Sequence, residues 1–333
     1  MRILITGAAG FLGQRIARRL LANGAREIVL HVRRTAPPGL VEALRREYPD
    51  ARIETAAANL LARGTLGEMV TGVDCIVHAA AGMKGAAADM FANTVLGSRN
   101  LLEAAGAAGV RRIVLVSSFS VYRTVDLRDG ATLDEAVPRE EVGIEKGPYA
   151  YAKTRQEQLF DEFRTQFGFE SVVLRPGVIY GPGGGAMSPR VGLAAMGLFA
   201  SLGGTVLLPL TYVENCADAI AVATLKAQPG SVFNVVDDDL PTCAEYLRQY
   251  RRNVKPLKVL RLPYPLFLWG AKLLQGYHKR SKGQLPAVFT PYVVRSMYRP
   301  LRYTNSALKA LGWTPAVTTA DGLARTWQAL RSA

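Results

Sequence analysis

Short apolar runs alternate along the first half of the chain with longer stretches in which apolar residues recur every three or four positions. The short runs predict buried strands, and the stretches between them predict amphipathic helices. Alternation of strand and helix indicates an α/β fold, in which helices cover both faces of a right-handedly wound parallel sheet. The predicted strands occupy residues 3–5, 28–32, 52–56, 75–78, 113–116 and 172–174.

The same pattern divides the chain into two parts. We expect a doubly wound domain of Rossmann type to hold residues 1–175 and to regain residues 205–238. A smaller C-terminal substrate-binding lobe is expected to hold residues 176–204 and 239–333. With 333 residues, of which 49% are hydrophobic, the chain has enough apolar material for a sizeable core.

The longest uncharged run, residues 191–213, is long enough to cross a bilayer. Gly203, Gly204 and Pro209 interrupt it, so we expect a helix, a turn and a strand instead of a membrane span. The later apolar run 262–271 is shorter and lies between charged residues, which limits it to contact with a membrane surface. The first apolar run leads directly into a glycine turn, and we expect no signal peptide there.

A glycine-rich turn follows the first predicted strand. Residues 6–13 read Thr-Gly-Ala-Ala-Gly-Phe-Leu-Gly, and we expect a helix to begin near the phenylalanine. The first two glycines let the backbone approach a pyrophosphate, the first amides of the helix face that anion, and the third glycine lets helix and strand pack closely. The residues that we assign to this dinucleotide-binding loop are Gly7, Gly10, Phe11, Leu12 and Gly13.

Ligands of such sheets bind at the carboxyl ends of the strands. Arg33 and Arg34 follow the second predicted strand, where a chain that prefers NAD usually has a carboxylate for the ribose hydroxyls. Guanidinium groups at this place bind a 2′-phosphate in bidentate geometry, so the sequence favours NADP(H) over NAD(H). Ala79 and Ala80 follow the predicted strand 75–78, and we expect them to line the same crevice.

Tyr149 and Lys153 lie four residues apart in a segment of helical character, so they share one face. An ammonium group beside a phenol stabilises the phenolate and lowers the pKa of the phenol. We therefore expect Tyr149 to act as a general acid or base at neutral pH, with Lys153 also bonding a nicotinamide ribose. Ser118 ends a predicted strand, where its hydroxyl can hold a substrate oxygen.

The net charge of +14 favours acidic partners, such as anionic lipid or substrates that carry phosphate or carboxylate. No basic stripe interleaved with aromatic residues accompanies this charge, so we expect no nucleic-acid partner. The three cysteines lie far apart without a Cys-x-x-Cys pair, which predicts neither a disulfide framework nor a zinc site and fits a reducing cytoplasm. The three histidines are isolated, and we expect no metal site at them.

Eight stretches match the motifs of one known family. They are the glycine turn 6–13; Val-His-Ala-Ala at 77–80; Asn93 with Gly97 and Asn100; Ser-Ser at 117–118 with Tyr122; Tyr149 with Lys153; Leu-Arg-Pro-Gly-Val-Ile-Tyr-Gly-Pro at 174–182; Tyr-Val-Glu-Asn at 212–215; and Leu-Gly-Trp at 311–313. On these motifs, nearly the whole chain resembles the extended short-chain dehydrogenases/reductases. This group includes NAD(P)-dependent epimerases, dehydratases and 3β-hydroxysteroid-dehydrogenase-like reductases.

The resemblance implies roles for particular residues. It assigns catalysis to Ser118, Tyr149 and Lys153, support of the catalytic site to Asn93, and contacts with the nicotinamide to the backbone of Pro176, Gly177 and Val178. Members of the family often pair through a four-helix interface. By analogy, the helices around residues 93–105 and 151–163 imply a homodimer here.

Departures from the family pattern bear on the ligands. Near the adenine the family commonly has an acidic residue, whereas this chain has Asn59 followed by Leu60, and an amide can still bond the adenine amino group. Enzymes of nucleotide sugars usually have Asn at the position of Val178 and an Arg in the stretch that corresponds to 207–210, which here contains no cation. They also usually have Gly where this chain has Arg123. A diphosphate would meet apolar walls here, which favours an apolar substrate.

The C-terminal part is expected to form a lid over the substrate. Its apolar residues 262–269 precede a basic cluster of His278, Lys279, Arg280 and Lys282. Such a lid suits a hydrophobic acyl or polycyclic substrate, with or without an acidic carrier, or rests on anionic lipid. The alternative is a helical lobe that packs its own core, and the sequence leaves both open.

Three functions remain open at this point. The first is an NADP-dependent reductase of a ketone on a largely apolar small molecule, in which Tyr149 delivers the proton and the reverse oxidation uses the same groups. The second is a nucleotide-sugar epimerase, dehydratase or ketoreductase. The third is a regulator that senses NADP without turnover, although such a protein has no need of Ser118, Tyr149 and Lys153.

Overall fold

The computed structural model describes residues 1–83, 85–195, 197–280 and 290–332. The strands are, in chain order, β1 (Arg2–Thr6), β2 (Glu27–Val32), β3 (Arg52–Ala57), β4 (Cys75–His78), β5 (Arg112–Val116), β6 (Thr132–Leu133), β7 (Glu170–Pro176), β8 (Val178–Tyr180), β9 (Gly192–Ala195), β10 (Leu198–Ser201), β11 (Leu210–Tyr212), β12 (Val232–Val235), β13 (Val259–Arg261) and β14 (Arg302–Tyr303).

The helices are α1 (Gly13–Ala22), α2 (Leu40–Glu47), α3 (Leu66–Val70), α4 (Ala87–Phe91), α5 (Gly97–Ala107), α6 (Pro148–Phe167), α7 (Val213–Lys226), α8 (Cys243–Asn253), α9 (Tyr264–Arg280), α10 (Pro291–Tyr298), α11 (Ser306–Ala310) and α12 (Thr319–Arg331). A π-helical turn, Ala92–Leu96, joins α4 to α5. Single 3-10 turns lie at Arg63–Thr65, Phe119–Val121, Thr124–Asp126 and Ile144–Lys146.

The main sheet has seven parallel strands in the order β12-β7-β5-β4-β1-β2-β3. The chain builds outwards from β1 to β3 and then returns to β4 on the other side of β1. The strand order therefore reverses between β1 and β4, where sheets of this kind bind ligands. The predicted Rossmann-type α/β fold is confirmed, whereas the proposed division into a domain and a lobe stays a prediction.

Alternate residues of β1 face opposite sides of the sheet. Ile3 and Ile5 pack with Ile16 of α1, and Leu4 packs on the other face with Phe160 of α6. The two helices that carry the glycine loop and the Tyr-Lys pair thus lie on opposite faces of one buried strand. Burial of β1 on both faces fixes the relative positions of the two groups.

The segment 191–213 differs from the sequence-based expectation. The expected helix is wrong, because β9 and β10 form an antiparallel pair and β13 joins the other edge of β10. Gly197, between the two strands, has a φ of +75°, which closes a turn and is incompatible with a helix interior. Among the described residues, no helix combines the length and apolar character that crossing a membrane requires.

The predicted lid region contains α9 and α10, which pack on each other through Phe267, Ala271, Val294 and Tyr298. Of the predicted basic cluster, His278, Lys279 and Arg280 end α9. The remaining member, Lys282, lies outside the described residues.

Candidate active site

The glycine turn joins β1 to α1. Gly7 has a φ of +70°, and the Gly10 amide donates to the Gly7 carbonyl at 2.9 Å. A Cβ on Gly13 would lie 2.1 Å from that carbonyl oxygen, so only glycine lets α1 start this close to β1. A Cβ on Gly7 would lie 3.1 Å from Cα of Ala80, which follows β4. These residues fit a dinucleotide, because the open backbone and the helix start form a cradle for its pyrophosphate.

Phe11 and Leu12 complete this turn, and α1 begins directly after them. Arg15, in the first turn of α1, fixes the conformation of this turn. Its guanidinium lies 4.7 Å from the centre of the Phe11 ring and donates to the carbonyls of Phe11 and Pro182. An ion pair of 3.0 Å with Glu214 ties the same arginine to α7. The loop is thereby fixed to the segment after β8.

Arg33 and Arg34 follow β2 and are both exposed. Arg33 donates to Oδ1 of Asn93 at 2.6 Å, and Nδ2 of Asn93 donates to the Asp89 carbonyl at 2.8 Å. The Arg33 side chain therefore extends from the end of β2 to the helical segment that follows β4. The structure brings together two residues that the sequence assigns to different parts of the site. A phosphate bound by Arg33 would compete with Asn93 for the guanidinium.

Asn59 and Leu60 form the turn after β3. Asn59 is exposed, and its Oδ1 accepts the Leu61 amide at 3.1 Å. Leu60 is buried, and its carbonyl accepts Nδ2 of Asn100 at 2.9 Å. The turn is thus fixed to α5, and the predicted contacts of Asn59 and Leu60 with an adenine stay predictions.

Ser118 and Tyr149 meet at the carboxyl end of β5. The Ser118 hydroxyl interacts with the Tyr149 phenol and favours its phenolate form. Oγ of Ser118 accepts the Ser120 amide at 3.1 Å. Ser118 is extended, with a φ of −164° and a ψ of 154°, and caps the 3-10 turn that follows. Two hydroxyl groups therefore converge on one point, which is what holding a carbonyl oxygen requires.

The pKa of Tyr149 is raised, because burial disfavours the phenolate and outweighs the hydrogen bond from Ser118 that favours it. The expected lowering of this pKa is therefore wrong. Tyr149 is, however, the second residue of the 20-residue helix α6. The positive end of the helix dipole lies there and stabilises a phenolate as it forms.

Lys153 is buried one turn further along α6, and only 3% of it is exposed. Its Nζ donates to the Val116 carbonyl at 2.8 Å and to Oε1 of Gln156 at 2.7 Å. Burial lowers the pKa of Lys153 to about 8, and the negative charge of Glu157 opposes this shift. The ammonium group is thereby held at the end of β5, two residues before Ser118.

A buried chain of hydrogen bonds runs from Lys153 to β1. The Gln156 amide donates to Oγ of Ser98 at 2.8 Å, Ser98 lies 2.7 Å from Nε2 of His78, and Nδ1 of His78 lies 2.7 Å from Oγ1 of Thr6. Burial, reinforced by the charge of Lys153, lowers the pKa of His78 to about 3, so this histidine is neutral. The chain links the lysine to the strand that carries the glycine loop.

Sequence reasoning missed Gln156, Ser98 and the role of His78 in this chain of hydrogen bonds. A signal existed for Gln156, since it lies three residues after Lys153 and therefore on the same side of the helix. For His78 the sequence predicted only that it is a packed or surface residue rather than a metal ligand, because a single sequence does not show which strand-end histidine has buried polar neighbours. Thr6 also accepts the amides of Ala79 and Ala80, each at 3.2 Å.

Pro176, Gly177 and Val178 link β7 to β8. The Val178 amide donates to the Pro209 carbonyl at 2.6 Å, and a Cβ on Gly177 would lie 2.2 Å from the same oxygen. Val178 also pairs with Leu210 across β8 and β11. Val178 and the stretch 207–210, two places where the chain departs from the nucleotide-sugar enzymes, are therefore adjacent in space, and both have apolar residues.

Comparison with known proteins identifies the family of this chain. A sequence model described as the NAD dependent epimerase/dehydratase family matches residues 3–235. The chain belongs to this family. Within the family, a 2-alkyl-3-oxoalkanoate reductase from Stenotrophomonas maltophilia is 30% identical over 242 residues, which cover 69% of this chain and 67% of that protein.

Solved structures agree on the fold. The crystal structure of gox2253 superposes with a TM-score of 0.77 at 23% identity and covers 99% of this chain and 98% of its own. The UDP-glucose 4-epimerase of Thermus thermophilus, in complex with NAD, gives a TM-score of 0.71 at 22% identity and covers 100% of both chains. The predicted membership of the extended short-chain dehydrogenases/reductases is thus confirmed, and the protein is an NAD(P)-dependent oxidoreductase.

Proposed function

We propose that this family member uses NADPH to reduce a ketone on a largely apolar small molecule, and that it oxidises the corresponding secondary alcohol in reverse. The observation that carries the proposal is that the Ser118 and Tyr149 side chains meet at the end of β5, on the edge of the sheet that also carries the glycine cradle. A bound nicotinamide supplies the hydride. Ser118 and Tyr149 hold the carbonyl oxygen, and Tyr149 donates its hydroxyl proton to that oxygen as negative charge develops on it.

Charge around Tyr149 supports this proton transfer. The phenolate that remains is stabilised by the Ser118 hydroxyl and by the N-terminus of α6, and we propose that Lys153, held at the end of β5, adds a positive charge once the proton has left. Gln156 and the Val116 carbonyl position that lysine. The three groups lie on α6 and directly after β5, so the fold itself sets their positions.

The walls beside Val178 support an apolar substrate. Leu208 and Leu210 are buried next to Val178. A diphosphate placed there would lose its hydration without a matched cation. The relative from Stenotrophomonas maltophilia is named for a substrate with a ketone between alkyl groups and a carboxylate, and we propose a ketone of that general class for this chain.

The function is tested by mixing the purified protein with NADPH and a 2-alkyl-3-oxoalkanoate, and in parallel with a UDP-sugar. We expect net consumption of NADPH, followed by the nicotinamide absorbance, only with the oxo acid. Conversion of the sugar without a net absorbance change, together with retained cofactor, would instead show an epimerase. Binding of NADPH without turnover of either compound would show a sensor.

Replacing Arg33 with alanine is expected to weaken NADPH binding about tenfold or more, because a hydrogen bond to a charged group contributes about 1.5–3 kcal/mol. NADH lacks the 2′-phosphate, so its dissociation constant should change little. Titration of both reduced cofactors measures this difference, with Arg46→Ala on the exposed side of α2 as the matched control. Wild-type protein that binds NADH more tightly than NADPH would contradict the assignment.

The rate of ketone reduction is expected to fall above a pH of about 8. Below this pH Lys153 is protonated, and above it the ammonium that stabilises the Tyr149 phenolate is lost, so kcat/KM should drop about tenfold per pH unit. Lys153→Arg keeps its charge at every accessible pH and should remove this alkaline limb. Lys146 also has a pKa of about 8, so Lys146→Met serves as the control and should retain the limb. If the fall of kcat/KM at high pH disappeared in Lys146→Met but not in Lys153→Arg, its assignment to Lys153 would be refuted.

A further inference from the structure

Helix α9 exposes a stripe of large apolar side chains. Leu266, Trp269, Leu273 and Tyr277 follow one another at spacings of three and four residues, so they share one side of the helix. They are 51%, 59%, 55% and 53% exposed. Phe267, on another side, is buried against α10. The helix is therefore anchored by one face while it presents a second apolar face outwards.

The small sheet beside α9 extends this surface. Leu193 of β9 and Leu260 of β13 both pair with Ala200 of the central strand β10, so the three residues lie on one face of the sheet. Ala200 packs against the cluster that contains Phe267. Leu193 and Leu260 are 37% and 55% exposed. The exposed leucines of the sheet therefore lie on the side that α9 occupies.

The net charge of the chain comes from the stretch of sequence that contains α9. Residues 246–320 contain 14 Lys and Arg residues and no Asp or Glu. The rest of the chain contains 27 basic residues (Lys and Arg) and 27 acidic residues (Asp and Glu). The whole net charge of +14 thus belongs to one segment of 75 residues. Exposed cations lie just before β13, at its end and on α9 itself; they are Lys255, Lys258, Arg261, Lys272 and Arg280.

We propose that this surface, formed by the α9 stripe and its cationic surroundings, docks on an anionic phospholipid bilayer. Apolar side chains of an interfacial helix enter the boundary between headgroups and acyl chains, while Lys and Arg stay among the phosphates. Trp269 and Tyr277 suit the headgroup level, where amphipathic rings prefer to lie. The surface does not depend on the reaction that the active site performs.

Two other occupants fit the surface less well. A second copy of the chain would bring two cationic segments without acidic residues face to face, and like charges at an interface oppose association. A nucleic acid would satisfy the cations but would leave the exposed leucines without an apolar partner. An anionic bilayer matches both the charge and the apolar stripe.

Flotation of the full-length protein with vesicles tests the proposal. We expect binding to phosphatidylcholine vesicles that contain phosphatidylglycerol and at least about tenfold weaker binding to phosphatidylcholine alone. Trp269 reports insertion, because the other two tryptophans, Trp313 and Trp327, are only 1% and 3% exposed. Its emission should shift to shorter wavelength on binding to the anionic vesicles.

Two pairs of variants separate the contributions. Lys258→Glu with Lys272→Glu should weaken binding at least about tenfold, whereas Arg46→Glu with Arg325→Glu makes the same charge change outside the acid-free segment and should weaken it far less. Leu266→Ser with Leu273→Ser should abolish the emission shift of Trp269. Val142→Ser with Ile144→Ser is the matched apolar control, since these residues are 59% and 60% exposed. Thermal melting of all four proteins confirms that they fold.

The proposal is overturned if anionic vesicles neither bind the protein nor shift its emission, or if the control pairs have the same effect as the test pairs. Binding of DNA that is sensitive to the charge change but not to the loss of leucines would indicate a polyanion site instead. Dimerisation that the leucine changes abolish, without any vesicle binding, would indicate a second copy.

Discussion

Replacing Tyr149 with phenylalanine is expected to lower kcat for ketone reduction at least about a hundredfold, because a positioned general acid contributes about 10²- to 10⁴-fold. The change removes one oxygen atom, which is both the proton donor and a hydrogen-bond partner of Ser118. The ring and the helix around it remain. Initial rates with NADPH and the oxo acid measure the loss, and titration should show nearly unchanged cofactor binding.

Tyr151→Phe is the matched control for this prediction. Tyr151 lies two residues further along α6 and stacks on Phe91, with ring centroids 5.6 Å apart. Loss of its hydroxyl should leave kcat nearly unchanged, because stacking depends on the ring. Full activity in Tyr149→Phe would remove the catalytic assignment, and equal losses in the two variants would point to a structural effect of tyrosine hydroxyls in α6.

The fold was largely predictable because its signals are local. The apolar runs around Ile3 and Ile76 are buried on both faces of a parallel sheet, and such strands are visible in sequence as continuous apolar residues. The glycine turn is recognisable in sequence because it has no room for a side chain at Gly13, where a Cβ would overlap the Gly7 carbonyl. The segment around Gly197 was not predictable from composition, because an uncharged run with a glycine near its centre suits a hairpin and a helix with a turn equally well.

The site was predictable only as far as its residues lie near one another in sequence. Tyr149 and Lys153 share a helix, so their common side follows from spacing. The bond between Arg33 and Asn93 joins residues 60 positions apart. The hydrogen-bond chain through Gln156 and His78 connects four elements of the fold, α6, α5, β4 and β1. Such contacts depend on how helices pack against the sheet, which spacing along the chain does not specify.

The orientation of the Lys153 side chain is a further example of a feature that spacing along the chain does not specify. Spacing places its Cα one turn after Tyr149, but the direction of Nζ depends on the acceptors within reach. In the folded chain those acceptors are the Val116 carbonyl and Gln156. Burial then decides the pKa of Tyr149, an effect that the expectation from neighbouring charge alone omitted.

Replacing Glu157 with glutamine is expected to lower the free energy of unfolding by about 3–5 kcal/mol, since breaking a buried ion pair leaves an uncompensated charge. Glu157 lies one turn after Lys153 and is 1% exposed. Its carboxylate accepts two hydrogen bonds from Arg175 of β7, at 3.0 and 2.7 Å, and lies 3.1 Å from Arg139. Glutamine keeps the shape but leaves the Arg175 guanidinium without its counter-charge, whereas Arg139 keeps its ion pair of 2.6 Å with Asp161.

Urea denaturation of both proteins measures the change, with Glu47→Gln as the control. Glu47 pairs with Arg18 on the surface, where the side chains are 42% and 39% exposed, so its loss should cost at most about 1 kcal/mol. Equal effects of the two changes would show that burial adds nothing to the Glu157 pair.

The effect of Glu157→Gln should also depend on pH. The bonds from Arg175 hold the pKa of Glu157 below its ordinary value. As the pH falls below that ordinary value, the unfolded wild-type chain takes up a proton that the folded chain does not, and its stability declines. The difference between wild type and variant should therefore be largest near neutral pH and shrink in acid. A difference that stays constant as the pH is lowered would mean that the pair contributes through packing rather than through charge, and α6 would then owe its position to its apolar contacts alone.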